Sequence, residues 1–260
     1  MADSLDKIAT TFGSATRESV QQIGAIARFF LRMVRAMPFS FARFHLIVEQ
    51  MMMIGVRSLP VVLLTSVFVG AVTAWQAKYL FAGAIPLNYL GMAVGKAVLT
   101  ELGPVLAALV ITGRVGAKLA AELGTMRVTE QLDAMVCLSL DPYPYLLAPR
   151  MIACAIMVPV LTIFSAFFAI ISAQLLAEAA MGLHPSAFYH GLKLFFKFQD
   201  VVICMVKSFA FGCIIALCGC YFGFLTKGGA VGVGESTKKA VVAAMVLILI
   251  ANLIVVKILL

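Results

Sequence analysis

Charge is what this 260-residue chain has least of: 12% of its residues are Asp, Glu, Lys or Arg, against 63% hydrophobic. So few charges cannot cover the surface of a water-soluble domain, and a mean hydropathy of +1.05 places the chain in a membrane. Histidine is also scarce. His45, His184 and His190 are scattered, and neither a His-Glu-x-x-His nor a Gly-x-Ser-x-Gly motif accompanies them, so an intramembrane hydrolase has no support. The six cysteines, Cys137, Cys154, Cys204, Cys213, Cys218 and Cys220, form no Cys-x-x-Cys pair and read as small packing residues. Cys218 and Cys220 lie two apart, on different faces of a helix, and make a poor metal pair. No secretory leader is expected, because Met1 to Thr16 is polar. The run from Gly228 to Ser236 has the glycine spacing of a phosphate loop between Gly229 and Gly234, but Glu235 stands where the lysine belongs. It reads as a turn between spans, and any ATP must be bound by another chain.

What is abundant is long apolar segments. Candidate spans run near 58–80, 88–113, 150–178, 201–225 and 239–260, each long enough for roughly 30 Å of hydrocarbon. No room remains for a soluble catalytic domain. The net charge of +8 suggests nucleic acid in a soluble protein, but here it follows the positive-inside rule. Lys7, Arg17, Arg28, Arg32, Arg35, Arg43 and Arg57 precede the first span; Arg114, Lys118, Arg127 and Arg150 mark the 114–150 loop; Lys227, Lys238 and Lys239 mark the 226–239 turn. The alternate connections are poorer: 81–87 has no basic residue and 179–200 has only Lys193 and Lys197. The N-terminus is therefore expected in the cytoplasm and the C-terminus on the other side.

Residues 17–37 have helical periodicity, with Ile23, Ile26, Ala27, Phe30 and Val34 on one side and Arg28, Arg32 and Arg35 on another. Such a helix suits the membrane interface, although packing against the spans would use the same pattern. Pro38 is expected to end it, with a second amphipathic piece from Phe41 to Arg57. The chain thus divides into an N-terminal interfacial segment, 1–57, and a five-span domain, 58–260. Small residues recur at Gly70-x-x-x-Ala74, Gly91-x-x-x-Gly95 and Gly219-x-x-x-Gly223. They fit close packing within one chain or a seam between two copies.

Ionisable groups within spans carry the sharper signal, since each costs a few kcal/mol at the bilayer centre. Lys96 and Glu101 lie in the second span, Lys207 in the fourth, and the polar Asn252 in the fifth. Lys96 and Glu101, five apart, do not share a helix face. Two readings of Glu101 stand open: an ion pair with a lysine of another helix, or a group lining a cavity that receives a substrate headgroup. Beyond Gly113 the chain turns polar, and Thr129 is placed to cap a short helix from Glu130, with Leu132 and Met135 on one side and Glu130, Gln131 and Asp133 around the rest. This helix, near 125–138, suits either docking in a partner's groove or a plain connector at the membrane surface.

Glu101-Leu-Gly-Pro-Val105, Gly113-Arg-Val-Gly116, Ala121-Glu-Leu-Gly124, the run from Met126 to Met135, Asp141-Pro142 and Pro149-Arg150 together resemble the signature of the MlaE/YrbE permeases, from about Phe30 to the end. The resemblance implies an all-α polytopic membrane protein, with an N-terminal interfacial helix and five transmembrane helices, assembled as a homodimer. It implies the membrane subunit of an ABC transporter in the bacterial inner membrane, moving phospholipid or a related lipid with an MCE-domain protein on the periplasmic side. ATP and Mg²⁺ belong to a partner ATPase, and a small STAS-type subunit is a further expected partner; no cofactor is expected in this chain and no enzymatic activity of its own.

The same resemblance puts Glu130, Gln131, Leu132, Asp133 and Met135 on a coupling helix seated in the ATPase. It places Thr100, Glu101 and Leu102 near a lipid cavity at the dimer interface, with Trp75, Tyr79 and Phe81 as further lining. Thr100 stands where some relatives have arginine and Asn252 where some have aspartate, so headgroup preference does not carry over. An ion-driven transporter using Glu101, Lys96 and Lys207, or a membrane scaffold for a lipid-binding partner, are the alternative readings.

Overall fold

The computed structural model describes residues 21, 24–41, 43–81 and 86–259, apart from the Phe195 side chain. Lys7, Arg17, Ile23 and most of the connection after the first span lie outside them. Helices and short turns make up the described residues, with no strand among them. Five helical stretches are long and apolar enough to cross a membrane: Phe44–Phe81, Leu87–Val128, Tyr143–Met181, Phe198–Phe224 and Gly229–Leu259. The protein is a multi-pass, all-α membrane protein.

Helix α1 (24–41) precedes α2 (Phe44–Ile54), which passes through a single tight turn into α3 (Leu59–Phe81). Pro38 does not end α1; the helix continues three residues past it to Phe41, because an exposed proline near a C-terminus removes only one hydrogen bond. The side turned into the protein also differs from the expected one. Phe29, Met33, Ala36 and Ser40 are buried, whereas Val34 and Leu31 are exposed. The hydroxyl of Ser40 donates to the Pro144 carbonyl at 2.8 Å, and Arg43 donates to the Tyr145 hydroxyl while lying 3.9 Å over its ring. Helix α1 therefore packs on the bundle and still presents apolar Leu31, Phe39 and Phe41 outward.

The second span is one rod of 42 residues, roughly 63 Å long, about twice the hydrocarbon thickness of roughly 30 Å. It comprises α4 (Leu90–Ala97), α5 (Gly103–Ile111) and α6 (Ala117–Val128), joined by wider π-turns at Val98–Leu102 and Thr112–Gly116. The expected 114–150 loop is thus largely helical, beginning with α6. Short α7 (Gln131–Cys137) follows, then α8 (Ala148–Met181), α9 (Pro185–Phe195), α10 (Phe198–Phe224) and α11 (Gly229–Leu259). The glycine-rich run is not a turn: only Leu225 to Gly228 separates α10 from α11, and Gly229 opens the last helix with φ +69°.

The three small-residue repeats all pack within this chain. A Cβ on Gly70 would overlap the Ala169 carbonyl of α8, one on Gly91 the Phe188 carbonyl of α9, and one on Gly223 would lie 2.9 Å from the Ala120 carbonyl of α6. These close approaches set α3 along α8, α4 along α9, and α10 along α6. Two apolar cores result. One is built on Met33, Ile111, Leu119, Met151 and Phe211; the other, at the end carrying α9, on Ala74, Leu90, Val94, Ala173 and Phe188. Helix α11 buries only Ala240, Ala244 and Ile248 and leaves Val242, Val246, Leu249, Leu253 and Ile258 exposed.

Candidate functional site

The sequence Glu101-Leu-Gly-Pro104 explains its own geometry. Proline has no N–H to give to the carbonyl four residues earlier, here that of Thr100, and the π-turn beside it widens the helix further. The released Thr100 carbonyl accepts from Lys207 Nζ at 2.6 Å, and the same ammonium donates to Glu101 Oε1 at 2.7 Å. Asn252 Nδ2 donates to the second carboxylate oxygen at 3.0 Å. Three helices, the second span, α10 and α11, are tied at one point, where the two apolar cores meet: Val98 belongs to one core and Ala107 to the other.

Burial is uneven across the pair. Lys207 is fully buried, while 38% of the Glu101 side chain is exposed. Lys207 neutralises Glu101, so the open side of the carboxylate presents a polar but charge-balanced surface. Asn252 Oδ1 is buried and has no partner among the described residues, leaving one acceptor beside the carboxylate. Of the two readings of Glu101, the structure shows the ion pair with another helix. Lys96 stands apart and exposed, its carbonyl accepting from the Thr100 hydroxyl at 2.8 Å. Leu102 is half-buried. Trp75 and Tyr79 point out of the chain at the end of α3, Phe81 packs against the core around Phe188, and no hydrogen bond joins these rings to Glu101.

At the other end of the rod, α6 turns sharply into α7. Thr129 does not cap α7; its hydroxyl donates back to the Thr125 carbonyl at 2.9 Å and closes α6 instead. Glu130 makes the turn with φ 58°, and Arg127 holds Asp133 at 2.5 Å across it. Leu132 is 1% exposed, so it anchors α7 to its own chain and is not offered to a partner. Glu130, Gln131 and Asp133 are exposed and Met135 is half-buried. The outward face also carries Val136 and Leu138, 60% and 72% exposed, which the sequence reading missed; their clue was apolar side chains just beyond the polar run.

A second buried charge was also missed, although its residues stand in the quoted signature. Arg150, at the start of α8, donates from Nη2 to Glu122 Oε2 of α6 at 3.2 Å, and Lys118 lies 3.5 Å from the other oxygen of Glu122. Arg150 is 6% exposed, and its Nη1 has no partner among the described residues.

The profile of the family Permease MlaE matches residues 47–258. The chain belongs to the MlaE permease family. It is 44% identical over 206 residues to a probable ABC transporter permease protein of Synechocystis, covering 78% of each chain. A probable ABC transporter permease protein of Rickettsia typhi is 37% identical over 252 residues, covering 97% of each. The chloroplastic protein Trigalactosyldiacylglycerol 1 of Arabidopsis thaliana is 39% identical over 206 residues, 79% of this chain and 59% of that one. As a permease subunit of an ABC transporter, the MlaE-family chain implies an ATPase partner.

Proposed function

We propose that two copies of this permease enclose a lipid cavity into which the open side of Glu101 faces, and that a cytoplasmic ATPase drives its reshaping through α7. The observation that carries this is a single one: the half-exposed, charge-balanced Glu101–Lys207 pair lies on the same continuous helical rod, Leu87–Val128, that leads through the Glu130 turn into α7. A polar group on a membrane-spanning surface is costly against acyl chains, which favours a cavity or a second protein chain over bulk lipid on that face.

The substrate on this reading is phospholipid or a related lipid. Support comes from the galactolipid in the name of the Arabidopsis relative and from the chemistry of the site: apolar walls for acyl chains and a neutralised carboxylate that no longer repels a phosphate. Lys96, exposed on the same rod but on a different face from Glu101, stays outside this wall. Trp75, Tyr79 and Phe81 line the outer mouth, where an MCE-domain protein receives or delivers lipid. Leu102 completes the wall beside Glu101, whereas Thr100 is buried within the chain, and a small STAS-type subunit accompanies the ATPase, which holds the ATP and Mg²⁺.

Charge counting favours a cytoplasmic side for α1, α7 and the α10–α11 turn and the opposite side for the end of α11, and the resemblance to the MlaE/YrbE permeases favours a bacterial inner membrane. Membership in a family of ABC permeases favours ATP-driven movement over the ion-driven and scaffold readings. The deciding experiment reconstitutes the permease with its ATPase in vesicles and follows transfer of a labelled phospholipid to the MCE protein. ATP-dependent transfer that falls in Glu101→Leu is expected. Transfer driven by an ion gradient without ATPase overturns the proposal.

A further inference from the structure

We propose that the groove between α1 and the end of α10 binds the headgroup of one anionic phospholipid, at a site separate from the Glu101 cluster. Two concavities meet there and share Arg32 and Tyr143. The narrower, about 260 Å³, is bounded by Arg28, Phe29, Arg32, Tyr143, Tyr221 and Phe224. The wider, about 440 Å³, continues past Arg35 and Phe39 to Asp141.

Positions 28, 32 and 35 fall within roughly 60° of one another around a helix, so three guanidinium groups stand in a strip along one side of α1. Like charges at this spacing repel, and among the described residues no carboxylate lies within ion-pair distance of any of the three. Arg28 Nε reaches only the Gly24 carbonyl of its own helix, at 3.3 Å. An anion between them removes the repulsion and uses donors that are otherwise left to water.

Lipid is favoured over a free anion by what lies beneath the charges. The ring of Phe29 stands 5.5 Å from Tyr143, 5.5 Å from Tyr221 and 5.8 Å from Phe224, an aromatic floor joining α1 to the turn before α8 and to the end of α10. Cations above an apolar floor at the end of a span match a phosphate above glycerol and acyl carbon, and basic pockets between helices at a membrane face take up anionic headgroups in this way. Asp141 sets the orientation. Its Oδ1 accepts from the Tyr143 amide at 3.0 Å, which fixes a carboxylate in the wider lobe. The phosphate therefore lies between Arg28 and Arg32, and a hydroxyl-bearing headgroup extends toward Asp141. Only the choice of leaflet rests on the cytoplasmic placement of α1 proposed above; binding itself does not.

The test is native mass spectrometry of the full-length permease in detergent, offered equal amounts of phosphatidylglycerol and phosphatidylcholine. The wild type retains phosphatidylglycerol in preference, and the paired substitution Arg28→Gln with Arg32→Gln lowers that preference by about tenfold. Arg32→Lys, which keeps the charge, retains most of it, and Lys238→Gln with Lys239→Gln, which removes two exposed charges from α11, leaves it unchanged. Undiminished preference in the Arg28 and Arg32 variant overturns the site, as does an equal loss in the α11 variant. Displacement of the lipid by millimolar inorganic phosphate reassigns the groove to a free anion. Loss of the wild-type preference on adding the partner ATPase assigns it to that protein, and either result overturns the lipid reading.

Discussion

Lys207 Nζ lies 2.7 Å from Glu101 Oε1 while its own side chain has no exposure to solvent. Among the described residues the ammonium is held by two acceptors, this carboxylate and the Thr100 carbonyl freed by Pro104.

That asymmetry makes the two partners unequal. Glu101→Leu strands a buried ammonium on one carbonyl, and a loss of about 3 kcal/mol is expected, at the lower end for breaking a buried pair. Lys207→Met costs less, because Glu101 keeps Asn252 and its open side. The double variant recovers most of the loss. Thermal unfolding of the detergent-solubilised permease checks this, and additive effects in the double variant would show that the pair does not couple.

How much of this was legible beforehand differs by element. The positions of the spans followed from apolar length alone, since nothing but lipid or core tolerates such runs. The partnership of Glu101 with a lysine on another helix was open to reading, with Lys207 the one lysine placed inside another span, but the contact itself was not legible: residues 106 apart meet only through packing of α10 on the second span. Helix α6 was missed although Leu119, Leu123 and Met126 stand at helical spacing and pack on the core, because the small and charged residues between them read as a polar loop. The burial of Leu132 was hidden because a short helix with apolar residues on more than one side, Leu132, Met135 and Val136, looks the same whichever of them faces its own chain or a partner.

The glycine repeats test the intrachain packing. Gly70→Ala puts a methyl group into the Ala169 backbone and must part α3 from α8, at a cost of about 1–3 kcal/mol. Gly234→Ala meets nothing within 4 Å in the first turns of α11 and should raise stability by about 0.4–1 kcal/mol. Opposite shifts in melting temperature, measured on the isolated permease, are the expected result.

Sidedness is open to a chemical test that needs no substitution. Cys137 is the exposed cysteine, on α7, while Cys154, Cys204, Cys218 and Cys220 are buried. A membrane-impermeant maleimide should label Cys137 in inside-out vesicles and leave it unmodified in right-side-out ones. Labelling from the other face would reverse the topology and move α7 away from any cytoplasmic ATPase.

Docking on α7 should depend on Val136 and Leu138, which point outward, more than on Leu132, which points in. Val136→Asp with Leu138→Asp is expected to abolish co-purification of the ATPase with the melting temperature unchanged. Leu132→Ala is expected to lower stability by about 2 kcal/mol or more, and to weaken the ATPase only through the loosened helix. Intact ATPase recovery with both aspartates present would remove α7 from the interface.

Glu130 separates the backbone's part in that turn from the side chain's. Its φ of 58° costs an ordinary residue about 1–2 kcal/mol and glycine almost nothing. Its carbonyl also starts α7 by accepting from the Ala134 amide at 2.9 Å. Glu130→Gly should therefore hold or improve the turn, whereas Glu130→Ala keeps the strain and removes the carboxylate. If the carboxylate contacts the ATPase, both variants lose stimulated ATP hydrolysis to a similar degree. If the turn alone matters, Glu130→Gly works as the wild type does. The exposed Glu130 side chain makes no hydrogen bond or ion pair among the described residues, so the loss is expected in both, and full activity of Glu130→Gly would take this residue out of the docking surface.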